Sequence, residues 1–140
     1  MTYQLIYSSQ AVESMSVSEL EKILVDARSG NERRGVTGAL VYVDGVFLQI
    51  LEGPEDTVRS LVSSIARDSR HSSLHIFHEA EVSQRMFSTW RMAFVNPTPD
   101  QLASWVGLEG IASLQEILAD VHRTPNQASL VADGILQAIS

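Results

Sequence analysis

Tyr7 and Gln49 are polar side chains in apolar surroundings. Tyr7 closes the run Tyr3-Gln4-Leu5-Ile6-Tyr7. Gln49 interrupts the otherwise apolar run Val46-Phe47-Leu48-Gln49-Ile50-Leu51. A strand of that composition is buried, and a buried amide left unpaired costs about 1–3 kcal/mol. Its chemistry is hydrogen bonding, since an amide both donates and accepts. Read singly, Gln49 pairs with core backbone or points outward at an edge. Trp90 and Met92 share one face of a later strand by the two-residue period, which alone means core packing. Asp68, Arg70 and His71 alone read as a solvated loop with a local ion pair. Asn31 follows Gly30, a common helix stop.

Other chemistries find little support. The chain has no phosphate-cradling glycine loop, dinucleotide fingerprint or Gly-x-Ser-x-Gly elbow. His71, His75 and His78 suggest a metal, but His71 and His75 straddle a loop and a strand in this reading, with no carboxylate or cysteine at a set spacing. Serine is abundant, yet nothing singles out a Ser/His/Asp triad. Cysteine is absent, which removes thiol catalysis, thiolate zinc and disulfides, and fits a cytoplasmic setting. The net charge of −7 argues against direct binding to nucleic acid or an anionic membrane surface. No apolar run reaches the roughly 20 residues needed to span a bilayer, and the N-terminus does not read as a signal peptide.

The elements that must position these residues follow from periodicity. A strand covers 3–7, and Ser8-Ser9 leave it in a polar turn. A helix capped by Ser16 or Ser18 carries Leu20, Ile23, Leu24 and Ala27 on one face and ends near Gly30-Asn31. Residues 37–52 form a hairpin about Asp44-Gly45. A second helix runs from about Glu55 to Arg67, then a polar connection covers 68–73. Strands follow at 74–80 and 90–95. The order β-α-β-β-α-β-β predicts an α+β, ferredoxin-like sheet with two helices on one face. Beyond Asn96-Pro97, apolar residues from Leu102 to Val121 and from Leu130 to Ile139 predict C-terminal helices, broken near Gly107–Gly110 and again at Thr124-Pro125-Asn126. We therefore expect a domain at 1–96 and a helical extension at 97–140, packing on the sheet or on another subunit. Trp105, Leu108, Ile111 and Leu114 form an apolar face that suggests a homo-oligomer.

Taken together, five segments resemble the BLUF family, blue-light sensors that use FAD. They are Leu5-Ile6-Tyr7-Ser8-Ser9, Asn31 with Gly35-Val36-Thr37-Gly38, Phe47 through Gly53, Asp68-Ser69-Arg70-His71, and Phe87-Ser88-Thr89-Trp90-Arg91-Met92. The resemblance covers about residues 2–96. It implies a flavin (FAD by family expectation, with FMN or riboflavin as alternatives) held edge-on between the two helices. It makes Tyr7 the electron donor and Gln49 the bridge to the flavin N5/O4 edge. Asn31 would hold the C4 carbonyl and N3 side, and Ile23 and Ile65 the ring faces. Asp68, Arg70 and His71 match positions near the ring, ribityl or phosphate. Trp90 and Met92 match the signal relay. The implied protein is a sensor, not an enzyme, acting through contacts with a separate downstream protein. Three alternatives stand beside it. They are a small hydrolase using Arg70, His71 and Asn31, an adaptor without chromophore, and a flavin-dependent redox enzyme, though no nicotinamide motif or redox cysteine supports the last.

Overall fold

The computed structural model describes residues 2–11, 16–68, 71–87, 92–108, 113–123 and 125–139, with backbone only at His71, Pro125 and Asn126. Strand β1 (Thr2–Ala11) opens the chain, followed by helix α1 (Val17–Arg34), strands β2 (Thr37–Val43) and β3 (Val46–Gly53), and helix α2 (Glu55–Arg67). Strands β4 (His71–Val82) and β5 (Ala93–Val95) and helices α3 (Pro99–Trp105), α4 (Leu114–Arg123) and α5 (Pro125–Ile139) complete it. The sheet order is β4-β1-β3-β2-β5, with β5 parallel to β2 and the other pairings antiparallel. This is the expected ferredoxin-like arrangement with one added strand.

The Asp44-Gly45 turn sets the register. Both residues have positive φ (45° and 83°), as a two-residue hairpin requires. Val43 then pairs with Val46, and Leu40 with Gln49. On the other side of β3, Tyr7 pairs with Gln49. Leu40, Gln49 and Tyr7 thus form one row across three adjacent strands.

Two cores sandwich the sheet. Leu20, Ile23 and Leu24 of α1 and Val58 and Val62 of α2 cover the face bearing Leu5, Tyr7, Leu40 and Leu51. The tail covers the other face, where Leu102, Ile117, Val121, Val131 and Ile135 pack on Ile6, Val41, Leu48 and Ile50. With both faces covered, β2 and β3 can be apolar at nearly every position.

Several boundaries differ from the sequence reading. Ser8 and Ser9 do not form a turn: both lie within β1, 5% and 1% exposed. Ser8 Oγ lies 2.8 Å from His122 Nε2 on α4, so a residue far along the chain satisfies it. Helix α1 passes through Gly30 and Asn31 and stops at Gly35, whose φ of 69° is left-handed. The Asn31 carbonyl accepts the capping N–H. At the other end, Ser16 and Glu19 form a capping box. Strand β4 already includes both His71 and His75, so they do not straddle a loop and a strand as the sequence predicts. The last strand is described only from Ala93. Helix α4 ends at Arg123 and Pro125 opens α5, a position where its missing N–H costs nothing; Thr124 lies outside the described residues. Trp105, Leu108 and Leu114 pack against the sheet–tail core, so the face that suggested self-association has partners within the chain; Ile111 lies outside the described residues. Among the described residues, no helix is long and apolar enough to cross a membrane.

Candidate functional site

A cleft of about 160 Å³ opens between α1 and α2, with the sheet as its floor. Helix α1 contributes Ile23, Ala27 and Asn31, which recur every four residues and so share one face. Asp26 and Arg34 add charge beside them. Helix α2 contributes Leu61 and Ile65, and Asp68 closes that helix at its C-cap. Tyr7, Gln49 and Leu40, the cross-strand row, form the floor.

The polar groups of the floor are buried and hydrogen bonded. Tyr7 is 1% exposed, Gln49 5% and Asn31 1%. The Tyr7 hydroxyl donates to Gln49 Oε1. The Gln49 amide nitrogen donates to the Met92 thioether at 3.3 Å. A thioether accepts and cannot donate, so the nitrogen is the amide atom that belongs on that side. The result is a directed run from phenol to amide to sulfur. Burial, and after it the Asp68 carboxylate, push the Tyr7 pKa far above its ordinary value of 10.0. Tyr7 therefore keeps its proton through the neutral range and remains a donor.

Six of the residues singled out from the sequence converge here: Tyr7, Ile23, Asn31, Gln49, Ile65 and Asp68 line one cleft. Met92 joins them through Gln49. Arg70 and Trp90 lie outside the described residues. His71 begins β4, paired by backbone with Ala11, and its side chain lies outside the described residues. Ala27, Leu40 and Leu61 also line the cleft, although the sequence pattern assigns Ala27 and Leu61 only to apolar helix faces and gives Leu40 no site role. The signal for each was present: Ala27 and Leu61 stand one helical turn from Ile23 and Ile65, and the Asp44-Gly45 turn fixes Leu40 opposite Gln49. Asp26 and Arg34 carried no such signal. Among the described residues, no group of three or more His, Cys, Asp or Glu converges to hold a metal ion.

The slot has aliphatic walls and a rim of amide, carboxylate and phenol groups. Its donor set suits a flat, largely apolar ring with hydrogen-bonding groups along one edge.

Comparison with known proteins points the same way. The family model described as "BLUF: Sensors of blue-light using FAD" matches residues 2–93. Photoactivated adenylate cyclase subunit beta of Euglena gracilis is 36% identical over 110 residues, which is 78% of this chain but 13% of that protein. The chain thus spans a small part of that relative's length. Among solved structures, BlsA in its photo-activated state is 25% identical with a TM-score of 0.83, covering 97% of this chain and 95% of that one. The BLUF protein BlrB in its dark state has a TM-score of 0.78 at 24% identity, covering 98% and 96%, a likeness of fold. The chain belongs to the BLUF family, whose domains bind FAD as chromophore.

Proposed function

We propose that this chain is a blue-light receptor whose switch is the Tyr7–Gln49–Met92 run, and that it signals through contacts with another protein. One observation carries the reading: that buried, directed run leads from the floor of a cleft, at Tyr7 and Gln49, whose walls and rim fit a flavin. Ile23 and Ile65 hold the ring faces. Asn31 and Gln49 meet its polar rim. By the family resemblance, Asp68, Arg70 and His71 would contact the flavin or its ribityl and phosphate part. When bound, FAD absorbs blue light and its excited ring draws an electron from a nearby donor.

The remaining steps belong to the chain. Tyr7 is the donor, because it is the phenol on the cleft floor. A phenol that has lost an electron is strongly acidic, and its proton moves along the existing hydrogen bond to Gln49 Oε1. Gln49 then turns or changes tautomer, and the electron returns to Tyr7 together with a proton to its oxygen, so no net redox change remains. The amide group now facing the cofactor edge differs from the one before illumination. A stronger hydrogen bond at the ring carbonyl shifts absorption to the red with no covalent change. Residues 1–96 act as the sensor. Met92, Trp90 and β5 pass the change to the helical extension at 97–140, which meets a second copy or a downstream protein in the cytoplasm.

The test is the absorption spectrum of FAD-loaded protein before and after blue light. A yellow protein with a small, reversible red shift supports the receptor, and a protein that stays colourless when supplied with FAD overturns it. Tyr7→Phe and Gln49→Leu should each retain flavin and lose the shift. A normal photocycle in both would refute their roles. The hydrolase alternative predicts turnover that is independent of light.

A further inference from the structure

Arg28 lies on α1 one position beyond Ala27, yet it does not line the cleft. Its side chain crosses to the end of the sheet, where Nε–H donates to the Met92 carbonyl at 3.0 Å. Met92 stands immediately before the point at which β5 begins to pair with β2, at Ala93 and Ala39. Strand β5 is only three residues long, so its own ladder holds its leading end weakly. Arg28 supplies a bond at that end. The Met92 side chain is 2% exposed, and its sulfur accepts from Gln49 Nε2.

We propose that Arg28 is a positioning residue for the switch: by holding the Met92 carbonyl it keeps the thioether against the Gln49 amide and sets how fast the illuminated state returns. The proposal rests on the Tyr7–Gln49 switch described above. Its physical basis is the one-sided chemistry of sulfur. In the orientation seen here, Met92 accepts from Nε2. In a turned amide, Oε1 would face the same sulfur, and two acceptors would meet with no proton between them. Fixed in place, Met92 therefore disfavours the turned amide and drives its return. Without the Arg28 anchor, Met92 can recede, the clash relaxes, and the turned amide persists.

The test follows recovery in the dark after a blue-light pulse, using the full chain loaded with FAD. Arg28 is exposed and outside the cleft, so Arg28→Ala should fold and bind flavin in the usual ratio. Recovery should slow by about three- to tenfold, the range expected for one partly buried hydrogen bond. Arg28→Lys, which can still donate to the carbonyl, should restore most of the rate. Met92→Leu removes the acceptor and should slow recovery by itself, and adding Arg28→Ala to it should slow recovery no further. The methyl NMR resonance of Met92 should move in dark-state Arg28→Ala and return in Arg28→Lys. Unchanged or faster recovery in Arg28→Ala, or equal slowing with and without the Met92 sulfur, overturns the proposal while leaving the switch intact. A wild-type protein that binds FAD but shows no shift overturns the switch and this proposal with it.

Discussion

Tyr7 and Gln49 satisfy each other, and that mutual dependence has a measurable consequence. Tyr7→Phe keeps the ring but leaves Gln49 Oε1 without its donor in a buried place. Gln49→Leu leaves the Tyr7 hydroxyl in the same state. Each single change should destabilise the fold by about 1–3 kcal/mol, the cost of a buried polar group left unpaired. The double variant has no orphaned partner, so its cost should fall short of the sum by about 1 kcal/mol or more. Urea unfolding in the dark at fixed FAD concentration measures this. Additive losses would mean that the hydrogen bond between them does not couple the two side chains. Fixing the flavin concentration matters, because a ligand that binds only the folded state adds its own stabilisation. The same logic explains why Gln49 could be noticed in the sequence at all: an amide in an apolar strand demands a partner. Nothing comparable marks Arg28. A surface arginine on a helix is unremarkable, and its acceptor is a backbone carbonyl 64 residues away.

The elements were largely legible because their signals are local. The hairpin turn, the amphipathic faces of α1 and α2 and the glycine and proline stops all act within a few residues. What was missed depended on distant partners. Ser8 and Ser9 look like a turn until the tail covers that face and His122 meets Ser8. Gly30-Asn31 looks like a helix end until Gly35 takes the left-handed position. Gly38 is a sharper case, since its role is steric and depends on pairing. It lies opposite Leu51, and a Cβ built there would fall 1.9 Å from the backbone oxygen of Ile50. That oxygen belongs to β3 beside Gln49 and cannot swing away as a side chain could. Gly38→Ala should therefore force β2 off β3 and cost on the order of 3 kcal/mol or more. The cleft floor depends on this pairing, so flavin retention should fall with it. Urea unfolding and the flavin-to-protein ratio test both, and a variant as stable and as yellow as wild type would refute this account of Gly38.

Across the whole molecule, the sheet separates two functions but strand β1 touches both. Tyr7 points to the cleft between α1 and α2, and the next residue, Ser8, points to the tail. The β1–β4 ladder shifts register on either side of this pair, between Ile6 and Tyr7 and between Ser8 and Gln10. The join between tail and sheet at that point is polar. His122 meets Ser8, and its ring lies 4.3 Å from that of His75 and 5.2 Å from that of Phe77. Burial, and then the neighbouring His75, lower the His122 pKa below its ordinary 6.5. Burial also lowers that of His78, against an opposing pull from Glu79, where His78 contacts Gln4 at 3.1 Å. Gln4 in turn donates to Glu52, a fully buried carboxylate that also accepts from the backbone N–H groups of Met86 and Phe87. The sign of the pH effect follows from these shifts. A histidine whose folded pKa is depressed binds fewer protons in the native chain than in the unfolded one, over the interval between the two values. Stability therefore rises with pH across that interval, and it is lost as pH falls below about 6.5, the unfolded value. His122→Gln can still pair with Ser8 but cannot titrate. Its melting temperature should fall less steeply than that of wild type as the solution is acidified from pH 6.5. His78 should account for part of the slope that remains. Parallel curves for the two proteins would show that His122 binds protons equally in both states, and that its contact with Ser8 is not the acid-sensitive join between tail and sheet.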